Sequence, residues 1–343
     1  MKILVTGGAG FIGSHASEYY AKKGHDIIAY DNLSREKLLK KDTHLSKYNW
    51  DYLDQFENIT KIKADILDIN LLKETAKDCD IIIHTAAQTA VTTSVVDPIS
   101  DFHTNALGTF NVLEAARTAK NNPTVIYCST NKVYGENVNS LSVIEDDKRY
   151  RFEKVKGVKE DLSIDHCEHT PYGCSKLTGD LYMQDYAKLY GIKTGIFRMS
   201  CIYGTRQFGF EDQGWLAWFA IATIMNRPIN IFGDGKQVRD ILFATDLIES
   251  YDAFIKSNKT EGIFNTGGGP NNTLSLLELL DMLEDMTGKR SQLLFYPWRP
   301  SDQKVYISDI DKIKDNLNWE PKITPKIGVQ KLIEFVESNK TLF

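Results

Sequence analysis

The sequence predicts an α/β fold: a doubly wound parallel sheet followed by a smaller mixed C-terminal lobe. In the first half of the chain, short β-branched runs alternate with amphipathic stretches, which is the pattern of βα units around a parallel sheet. A glycine-containing turn at 6–13 links the first strand-like run directly to a helix-like run. After about residue 199, loops that carry glycine, tryptophan and arginine mix with helical patterns, and this change marks the smaller lobe.

The large domain is predicted to comprise residues 1–198, with a strand-helix-strand stretch at 236–267 returning to it. Segments 199–235 and 268–343 form the smaller lobe. Gly24 and Gly191 end two of the helices, because glycine readily adopts the left-handed backbone of a helix C-terminus. The strands are predicted at 2–6, 26–31, 59–64, 80–84, 124–129 and 192–198. The helices are predicted at about 11–23, 101–120, 172–190, 213–226, 275–287 and 326–338.

Two segments interrupt the alternation. Residues 32–58 are polar and basic, and we expect a short helix and a loop. Residues 136–170 are strongly charged with few periodic apolar positions, which is typical of a lid or an interface loop.

The composition excludes several classes of partner. The chain has 343 residues, 42% of them hydrophobic and 25% charged, with a net charge of −5, so neither nucleic acid nor an anionic membrane is an expected partner. No apolar run approaches the roughly 20 residues of a membrane span. Five scattered cysteines without a CxxC pair suit reduced thiols, and the expected compartment is cytoplasmic.

Gly7, Gly10 and Gly13 follow the first strand and open the first helix. This spacing permits a tight turn, close approach of a pyrophosphate and tight helix packing, with helix N–H groups offered to phosphate. Asp31 ends the second strand, where a carboxylate accepts hydrogen bonds from the adenosine ribose. The sequence therefore predicts a Rossmann-type site for NAD rather than NADP, although Arg35 lies nearby. The other residues assigned to the cofactor are Phe11, Ile12, Asn32, Ser34, Asp65, Ile66, Ala86, Ala87, Gln88, Asn105, Tyr172, Lys176 and Met199.

The chemical site is predicted at Thr130, Tyr172 and Lys176. Tyr172 and Lys176 are four residues apart near the start of a helix, so both lie on one face. An ammonium group beside a phenol is expected to lower the phenol's pKa towards the range of a general base. Thr130 ends the fifth strand, at the edge of a parallel sheet where ligands bind.

These motifs together resemble an extended short-chain dehydrogenase/reductase of the nucleotide-sugar epimerase type. The resemblance rests on TGGAGFIG, Asp31-Asn32-Leu33-Ser34-Arg35, the Ser-Thr…Val-Tyr-Gly segment, Tyr-x-x-x-Lys, Gly-Lys-Gln-Val-Arg-Asp and Arg-x-x-Asp, in family order over residues 3 to about 302.

The resemblance implies an isomerase. Dehydratases of the family carry an acidic pair after Thr130, whereas this chain has Asn131 and Lys132. Simple epimerisation needs only transient oxidation of the sugar and return of hydride to the opposite face. The segments around residues 129–135, 171–176, 203–208 and 212–215 resemble those of C2 epimerases in the family. This resemblance implies a CDP-linked dideoxyhexose inverted at C2, in a route to surface polysaccharide. A C4 epimerase or a decarboxylase of a UDP-sugar remains open, as does a non-catalytic NAD sensor.

The family also implies residues for the nucleotide sugar and an oligomer. Arginines suit a diphosphate, since they donate bidentate hydrogen bonds. Asp302 is expected to orient Arg299 or to meet the nucleotide ribose. Helices 101–120 and 172–190 suggest a homodimer or homotetramer. No metal is expected, because the spacing of His166-Cys167-Glu168-His169 fits no usual zinc site. The residues assigned to the substrate are Gln88, Thr130, Asn131, Arg206, Gln207, Gln213, Arg239, Arg299 and Asp302.

Overall fold

The computed structural model describes residues 1–35, 45–299 and 302–343. Its strands are β1 (Lys2–Thr6), β2 (Asp26–Asp31), β3 (Ile59–Lys63), β4 (Ile81–His84), β5 (Thr124–Thr130), β6 (Val143–Glu145), β7 (Tyr150–Phe152), β8 (Thr194–Met199), β9 (Cys201–Tyr203), β10 (Ile229–Phe232), β11 (Val238–Phe243), β12 (Glu261–Thr266), β13 (Thr273–Ser275), β14 (Leu293–Tyr296) and β15 (Val305–Tyr306). The α-helices span Phe11–Lys22, Leu45–Tyr52, Ile69–Ala76, Val91–Val96, Pro98–Phe102, Gly108–Thr118, Thr170–Tyr190, Trp215–Ile224, Ala244–Lys256, Leu276–Thr287, Asp311–Leu317 and Pro325–Ser338.

A parallel sheet of seven strands has the order β12-β8-β5-β4-β1-β2-β3. β2 pairs in parallel with β1 and β3, and β4 pairs in parallel with β1 and β5. All four residues of β4, Ile81–His84, are buried, as expected for a strand covered on both faces. The strand order reverses between β1 and β4, and ligands of open α/β sheets bind at the carboxyl ends of strands at such a point. The predicted doubly wound sheet is confirmed.

The chain divides into two compact units whose boundaries differ from the predicted ones. In the prediction, 134–169 and all of 236–267 belonged to the sheet domain. Instead, the Tyr150 N–H donates to the Lys236 carbonyl at 2.9 Å and the Val158 N–H to the Ile307 carbonyl at 2.7 Å, both within the second unit. The first unit comprises 1–133, 170–198 and 251–263, and the second comprises 134–169, 199–250 and 264–343.

The helix predicted at 101–120 is interrupted. It consists of Pro98–Phe102, a π-helical turn at His103–Leu107 and Gly108–Thr118. The π turn buries Asn105 completely. Gly108 allows the following helix to approach Ile66 closely, because a Cβ atom at Gly108 would lie 2.4 Å from the Ile66 Cδ1 atom.

The charged segment 136–170 contains an antiparallel hairpin of β6 and β7, with Val143 opposite Phe152. The sequence did not reveal these strands, because three residues are too few to show a period-two pattern. In the other irregular segment, the helix Leu45–Tyr52 and the 3₁₀ turn Leu53–Gln55 confirm the expected short helix. The loop expected before them falls partly on 36–44, outside the described residues.

The second unit is built around β11, which pairs in parallel with β9 and β15 and antiparallel with β13. β10 and β14 form a separate parallel pair. The helix Leu276–Thr287 begins with a capping box, in which Ser275 and Glu278 bond each other's backbone, and ends at Gly288 in the left-handed region. Its buried Leu279 and Leu283 join the apolar core of this unit.

Candidate active site

The turn between β1 and the helix Phe11–Lys22 has a backbone that requires glycine. Gly7 has a φ of +73°, and a Cβ atom there would lie 2.6 Å from the Ala86 backbone nitrogen. A Cβ atom on Gly13 would lie 2.1 Å from the Gly7 carbonyl oxygen, so the helix starts in contact with the turn. Gly10 is the N-cap and supplies no side chain to the first-turn N–H groups. The turn is therefore shaped to receive an anionic group such as the pyrophosphate of a dinucleotide.

Asp31, at the end of β2, is held in place by this turn. Its Oδ2 atom accepts from the Ala9 N–H at 3.0 Å, and its Oδ1 atom accepts from the Leu33 N–H at 2.7 Å. Burial raises the pKa of Asp31, while these two bonds lower it. Nearby, the Asn32 amide donates to the Asp65 carboxylate at 2.8 Å. The structure thus brings the predicted ribose-binding carboxylate next to the glycine turn.

Gln88 and Asn105, two residues assigned to the cofactor, are hydrogen-bonded to each other. The Gln88 N–H donates to the Asn105 Oδ1 atom at 2.9 Å, and the Asn105 amide donates to the Gln88 carbonyl at 3.0 Å. The Gln88 side-chain amide also donates to the Ala90 carbonyl at 2.8 Å. Both side chains are buried and fix the loop after β4. Ile66 is buried too, whereas partial burial is found for Phe11, Ile12, Ser34, Arg35, Ala86, Ala87 and Met199.

Thr130, Tyr172 and Lys176 lie together in the first unit. Thr130 is the last residue of β5, and the other two are one turn apart in the helix Thr170–Tyr190. The Thr130 hydroxyl donates to the Asn131 Oδ1 atom at 3.3 Å, and Thr130 also lowers the pKa of the Tyr172 phenol. The Tyr172 N–H donates to the Ser94 hydroxyl at 3.1 Å, which anchors the start of the helix. All three side chains are more than nine-tenths buried.

The electrostatics of this group correct one expectation. Burial raises the pKa of Tyr172 to about 12, and Thr130 opposes the shift only in part. Burial also lowers the pKa of Lys176 to about 8, against the charges of Cys128, Asp180 and Asp101. The expected lowering of the pKa of the Tyr172 phenol is wrong, because withdrawal of the phenol from water raises this pKa.

A buried ion pair lies beside the catalytic residues. Asp180 accepts from the Arg198 guanidinium through two bonds of 3.0 Å and from the Ser129 hydroxyl at 2.9 Å. Asp180 was not assigned to the site from the sequence. Its position four residues after Lys176 on the same helix was the one feature of the sequence that could have placed it there. Asp180 thus connects the helix Thr170–Tyr190 to β8 through Arg198 and to β5 through Ser129.

His84 ends β4 but has no free ring nitrogen. Its Nδ1 atom is 2.7 Å from the Thr6 hydroxyl, and its Nε2 atom is 3.0 Å from the Thr109 hydroxyl. Burial lowers the pKa of His84 to about 3, so the ring is neutral. His84 therefore connects β4 to β1 and to the helix Gly108–Thr118 through its two ring nitrogens.

Arg239 and Asp302 form a fixed pair in the second unit. The Arg239 Nη2 atom donates to the Asp302 Oδ1 atom at 2.7 Å, and its Nη1 atom donates to the Val238 and Gln303 carbonyls. Asp302 was expected to orient Arg299 or to meet the nucleotide ribose, and the first of these alternatives is wrong. Arg299 instead pairs with Asp212 at 2.8 Å and lies over the Phe232 ring at 3.9 Å.

The other residues assigned to the substrate also have defined positions. Arg206 is buried and has a φ of +59°, and the Gln207 amide donates to the Ile202 carbonyl at 3.2 Å. Gln213 is half-buried and exchanges backbone hydrogen bonds with Phe210. Asn131, directly after β5, accepts from the Thr130 hydroxyl at 3.3 Å.

Within the described part of the chain, no group of three or more His, Cys, Asp or Glu side chains could hold a metal ion. Cys167 and His169 are near neighbours, with the sulfur 3.8 Å from the His169 Nε2 atom. None of the described helices combines the length and apolar character needed to cross a membrane.

Comparison with known proteins agrees with this geometry. A model of the NAD dependent epimerase/dehydratase family matches residues 3–267. CDP-paratose 2-epimerase of Salmonella typhi is 40% identical over 98% of this chain and 100% of its own length. A putative UDP-glucose 4-epimerase of Methanocaldococcus jannaschii is 33% identical over 98% of this chain and 99% of its own. A structure of UDP-glucuronic acid 4-epimerase from Bacillus cereus, in complex with UDP-glucuronic acid and NAD, has a TM-score of 0.83 and 29% identity, and covers 98% of this chain and 99% of that chain.

The family match covers well over half of the chain, and the glycine turn with Asp31 fits the family's cofactor. The predictions of NAD as cofactor and of an isomerase are confirmed. So is the resemblance to the epimerase type of short-chain dehydrogenase/reductase. The chain belongs to the NAD dependent epimerase/dehydratase family.

Proposed function

We propose that the protein inverts C2 of a CDP-linked dideoxyhexose and converts CDP-paratose to CDP-tyvelose for surface polysaccharide. The observation that carries this proposal is the buried group of Thr130, Tyr172 and Lys176, followed by Asn131 and Lys132 in place of an acidic pair. An elimination needs groups that remove and deliver protons at two carbons, and neither an amide nor a lysine ammonium is a carboxylate base. The 40% identity with a CDP-paratose 2-epimerase supports the choice of sugar.

When bound, NAD would supply the acceptor and later the donor of hydride. Tyr172 takes the proton of the reacting sugar hydroxyl and later gives it back. Thr130 lowers the pKa of the phenol and is proposed to share the proton through its hydroxyl. The Lys176 ammonium favours the phenolate by its charge. Because burial raises the pKa of Tyr172 to about 12, the phenol carries its proton in the protein alone.

The second unit is proposed to hold the nucleoside diphosphate through Arg239 and Arg299. Each arginine is paired with a carboxylate, Asp302 or Asp212, that fixes the direction of its guanidinium group. A guanidinium oriented in this way loses little conformational entropy when it binds phosphate oxygens. Gln88, Arg206, Gln207 and Gln213 remain predicted sugar contacts.

A C4 epimerase of a UDP-sugar is the second candidate. It is favoured by the 33% identity with a putative UDP-glucose 4-epimerase and by the 29% identical UDP-glucuronic acid 4-epimerase structure. Both candidates use the same three residues, and they differ in which ring hydroxyl faces Tyr172.

The test is to offer the purified protein CDP-paratose with deuterium at C2, UDP-glucose and UDP-glucuronic acid, and to follow the products by NMR. Inversion at C2 with the label retained supports the proposal, because hydride returns to the carbon that it left. Loss of label to solvent, or turnover confined to C4 of a UDP-sugar, contradicts it. The variant Tyr172→Phe provides the background rate.

We further propose that the protein is a homodimer. Three large apolar side chains, Val96, Ile99 and Leu189, are each more than three-fifths exposed. They lie on the helices Val91–Val96, Pro98–Phe102 and Thr170–Tyr190. Exposed apolar side chains of this kind are suited to contact with a second copy of the chain. Sedimentation velocity should show a dimer for the wild type and a monomer for Val96→Asp. Ile327→Asp, at an exposed apolar residue of the second unit, should leave the dimer intact. A wild-type monomer contradicts the proposal.

The proposed compartment is the cytoplasm, since five scattered cysteines suit a reducing environment.

A further inference from the structure

Asp101 is a buried acidic residue in the short helix Pro98–Phe102, with 1% of its surface exposed. Its Oδ1 atom accepts from the Asn105 amide at 3.0 Å and from the Gln88 amide at 3.2 Å. Its Oδ2 atom is buried without a hydrogen-bond partner in the described part of the chain. Burial of an unpartnered carboxylate oxygen is costly, and such a group calls for an explanation.

A chain of hydrogen bonds connects Asp101 to the start of the catalytic helix Thr170–Tyr190. The Asn105 amide, which donates to Asp101, also reaches the Ser175 hydroxyl at 3.1 Å. The Ser175 hydroxyl in turn donates to the Tyr172 carbonyl at 3.1 Å. Ser175 directly precedes Lys176, so the network holds the single helical turn that carries both Tyr172 and Lys176.

Cys128, Asp180 and Asp101 each raise the pKa of the buried Lys176 ammonium group. Asp180 is neutralised by its two bonds to Arg198, whereas Asp101 forms no ion pair among the described residues. The other groups near Lys176 are Cys128, the neutral His84 ring and the Tyr127 ring, whose centroid is 4.2 Å from the Lys176 Nζ atom. Of the two carboxylates that act on Lys176, Asp101 is therefore the one whose charge no ion pair among the described residues offsets.

The carboxylate acts on both catalytic groups in the same direction. Burial lowers the pKa of Lys176 to about 8, and Cys128, Asp180 and Asp101 oppose this. Burial raises the pKa of Tyr172 to about 12, Thr130 opposes that shift, and Asp101 and Cys128 add to it. In turn, burial raises the pKa of Asp101, and Ser175 and Lys176 lower it.

We propose that Asp101 is a positioning residue that keeps the Lys176 amine protonated and fixes the turn between Tyr172 and Lys176. This inference rests on the proposed function, since it concerns the same catalytic group. Asp101→Asn tests it, because asparagine keeps an oxygen acceptor for Gln88 and Asn105 and removes the charge. Asp97→Asn is the matched control: Asp97 caps the same helix, is exposed, and loses the same charge.

The first measurement needs no substrate. The pH titration of Lys176 is followed by ¹³C NMR of protein labelled at lysine Cε and saturated with NAD, with Lys176→Met to assign the resonance. Asp101→Asn should lower the midpoint relative to wild type, and Asp97→Asn should leave it in place. An unchanged midpoint in Asp101→Asn overturns the proposal, whether or not CDP-paratose is a substrate.

The second measurement is the pH profile of kcat/KM on whichever nucleotide sugar is turned over. Loss of the carboxylate should move both limbs of the profile to lower pH, because Asp101 raises the pKa of Lys176 and of Tyr172. A purely structural role predicts a lower rate with unmoved limbs and would refute the inference. Should Asp101→Asn fold poorly, the Asp101 Cγ resonance of the wild type decides the question: a second inflection where Lys176 titrates supports the coupling, and its absence overturns it.

Discussion

The Tyr127 ring lies against the Lys176 ammonium group, with 4.2 Å from the Nζ atom to the ring centroid, and the Tyr127 hydroxyl donates to the Lys176 carbonyl at 3.1 Å. One buried side chain of β5 thus supports both the charge and the backbone of the catalytic lysine. The contact depends on Gly179, where a Cβ atom would lie 2.4 Å from the Tyr127 hydroxyl oxygen and 2.8 Å from its Cζ atom.

Gly179→Ala should therefore displace the helix Thr170–Tyr190 from β5. We expect the free energy of unfolding to fall by about 1–3 kcal/mol, the usual range for overpacking a core, and turnover to fall with it. Thermal unfolding and initial rates measure the two effects. Thr178→Ala, at the half-buried neighbouring position, should change neither by much. An unaltered melting temperature in Gly179→Ala contradicts the close contact.

Tyr172→Phe removes the phenolic oxygen and leaves the ring in place. We expect turnover to drop on the order of 10²–10⁴-fold, which is the usual contribution of a general acid–base group. NAD content and melting temperature should stay near wild type. Tyr190→Phe, at an exposed position of the same helix, is the control for loss of a tyrosine hydroxyl. A variant at position 172 that retains a tenth of the wild-type rate argues against Tyr172 as the base.

Asp31→Ser should weaken NAD binding and reduce discrimination against NADP. The carboxylate bonds the backbone of the glycine turn and would repel a 2′-phosphate. Loss of hydrogen bonds to a charged group corresponds to about 10- to 100-fold in affinity. Calorimetric titration with both cofactors measures the change, with Asp26→Asn at the exposed start of the same strand as control. An unaltered NAD to NADP preference speaks against the assigned role.

Arg239→Lys and Asp302→Asn should each raise KM for the nucleotide sugar about tenfold with a smaller change in kcat. Lysine lacks the planar fork that reaches Asp302 and two carbonyls, and asparagine removes the charge that orients the guanidinium. Steady-state kinetics measure both. Arg290→Lys, at a largely exposed arginine, is the matched control. A fall in kcat with constant KM would place Arg239 outside the nucleotide site.

His84 should make the protein sensitive to acid. Its folded pKa of about 3 lies below the value of 6.5 for the unfolded chain, so only the unfolded chain takes up a proton between these values. The stability contributed above pH 6.5 is therefore lost progressively as the pH falls towards 3, by a few kcal/mol at most. Urea unfolding of His84→Gln at several pH values should show a weaker pH dependence than wild type. His103→Gln, at an exposed histidine, should behave like wild type; equal slopes for His84→Gln contradict the buried neutral ring.

The features predicted correctly from the sequence depend on short spacing. The glycine turn and Asp31 follow from local backbone requirements, and Tyr172 and Lys176 from one helical turn. The network of Asp101, Asn105 and Ser175 was not predictable, because it depends on a π-helical turn and on contacts between distant segments. The pairing of Asp302 with Arg239 likewise depends on the fold.

The pKa of Tyr172 was predicted with the wrong sign for a physical reason. Spacing shows that a lysine is near, but it does not show that both groups are withdrawn from water. Desolvation decides the direction here, and it is a property of the folded protein.

The first unit is built from three separate segments of the chain, and this affects its folding during synthesis. Tyr251 covers Phe197 with a ring-centroid distance of 4.6 Å, and its hydroxyl lies 3.0 Å from the Cys128 sulfur. A nascent chain that has emerged only through Arg198 has neither Tyr251 nor β12. The NAD-binding unit therefore cannot be completed until residue 263 leaves the ribosome. Until Tyr251 has been synthesised, it cannot pack against Phe197. Partly folded intermediates that expose apolar side chains in this way depend most on chaperones.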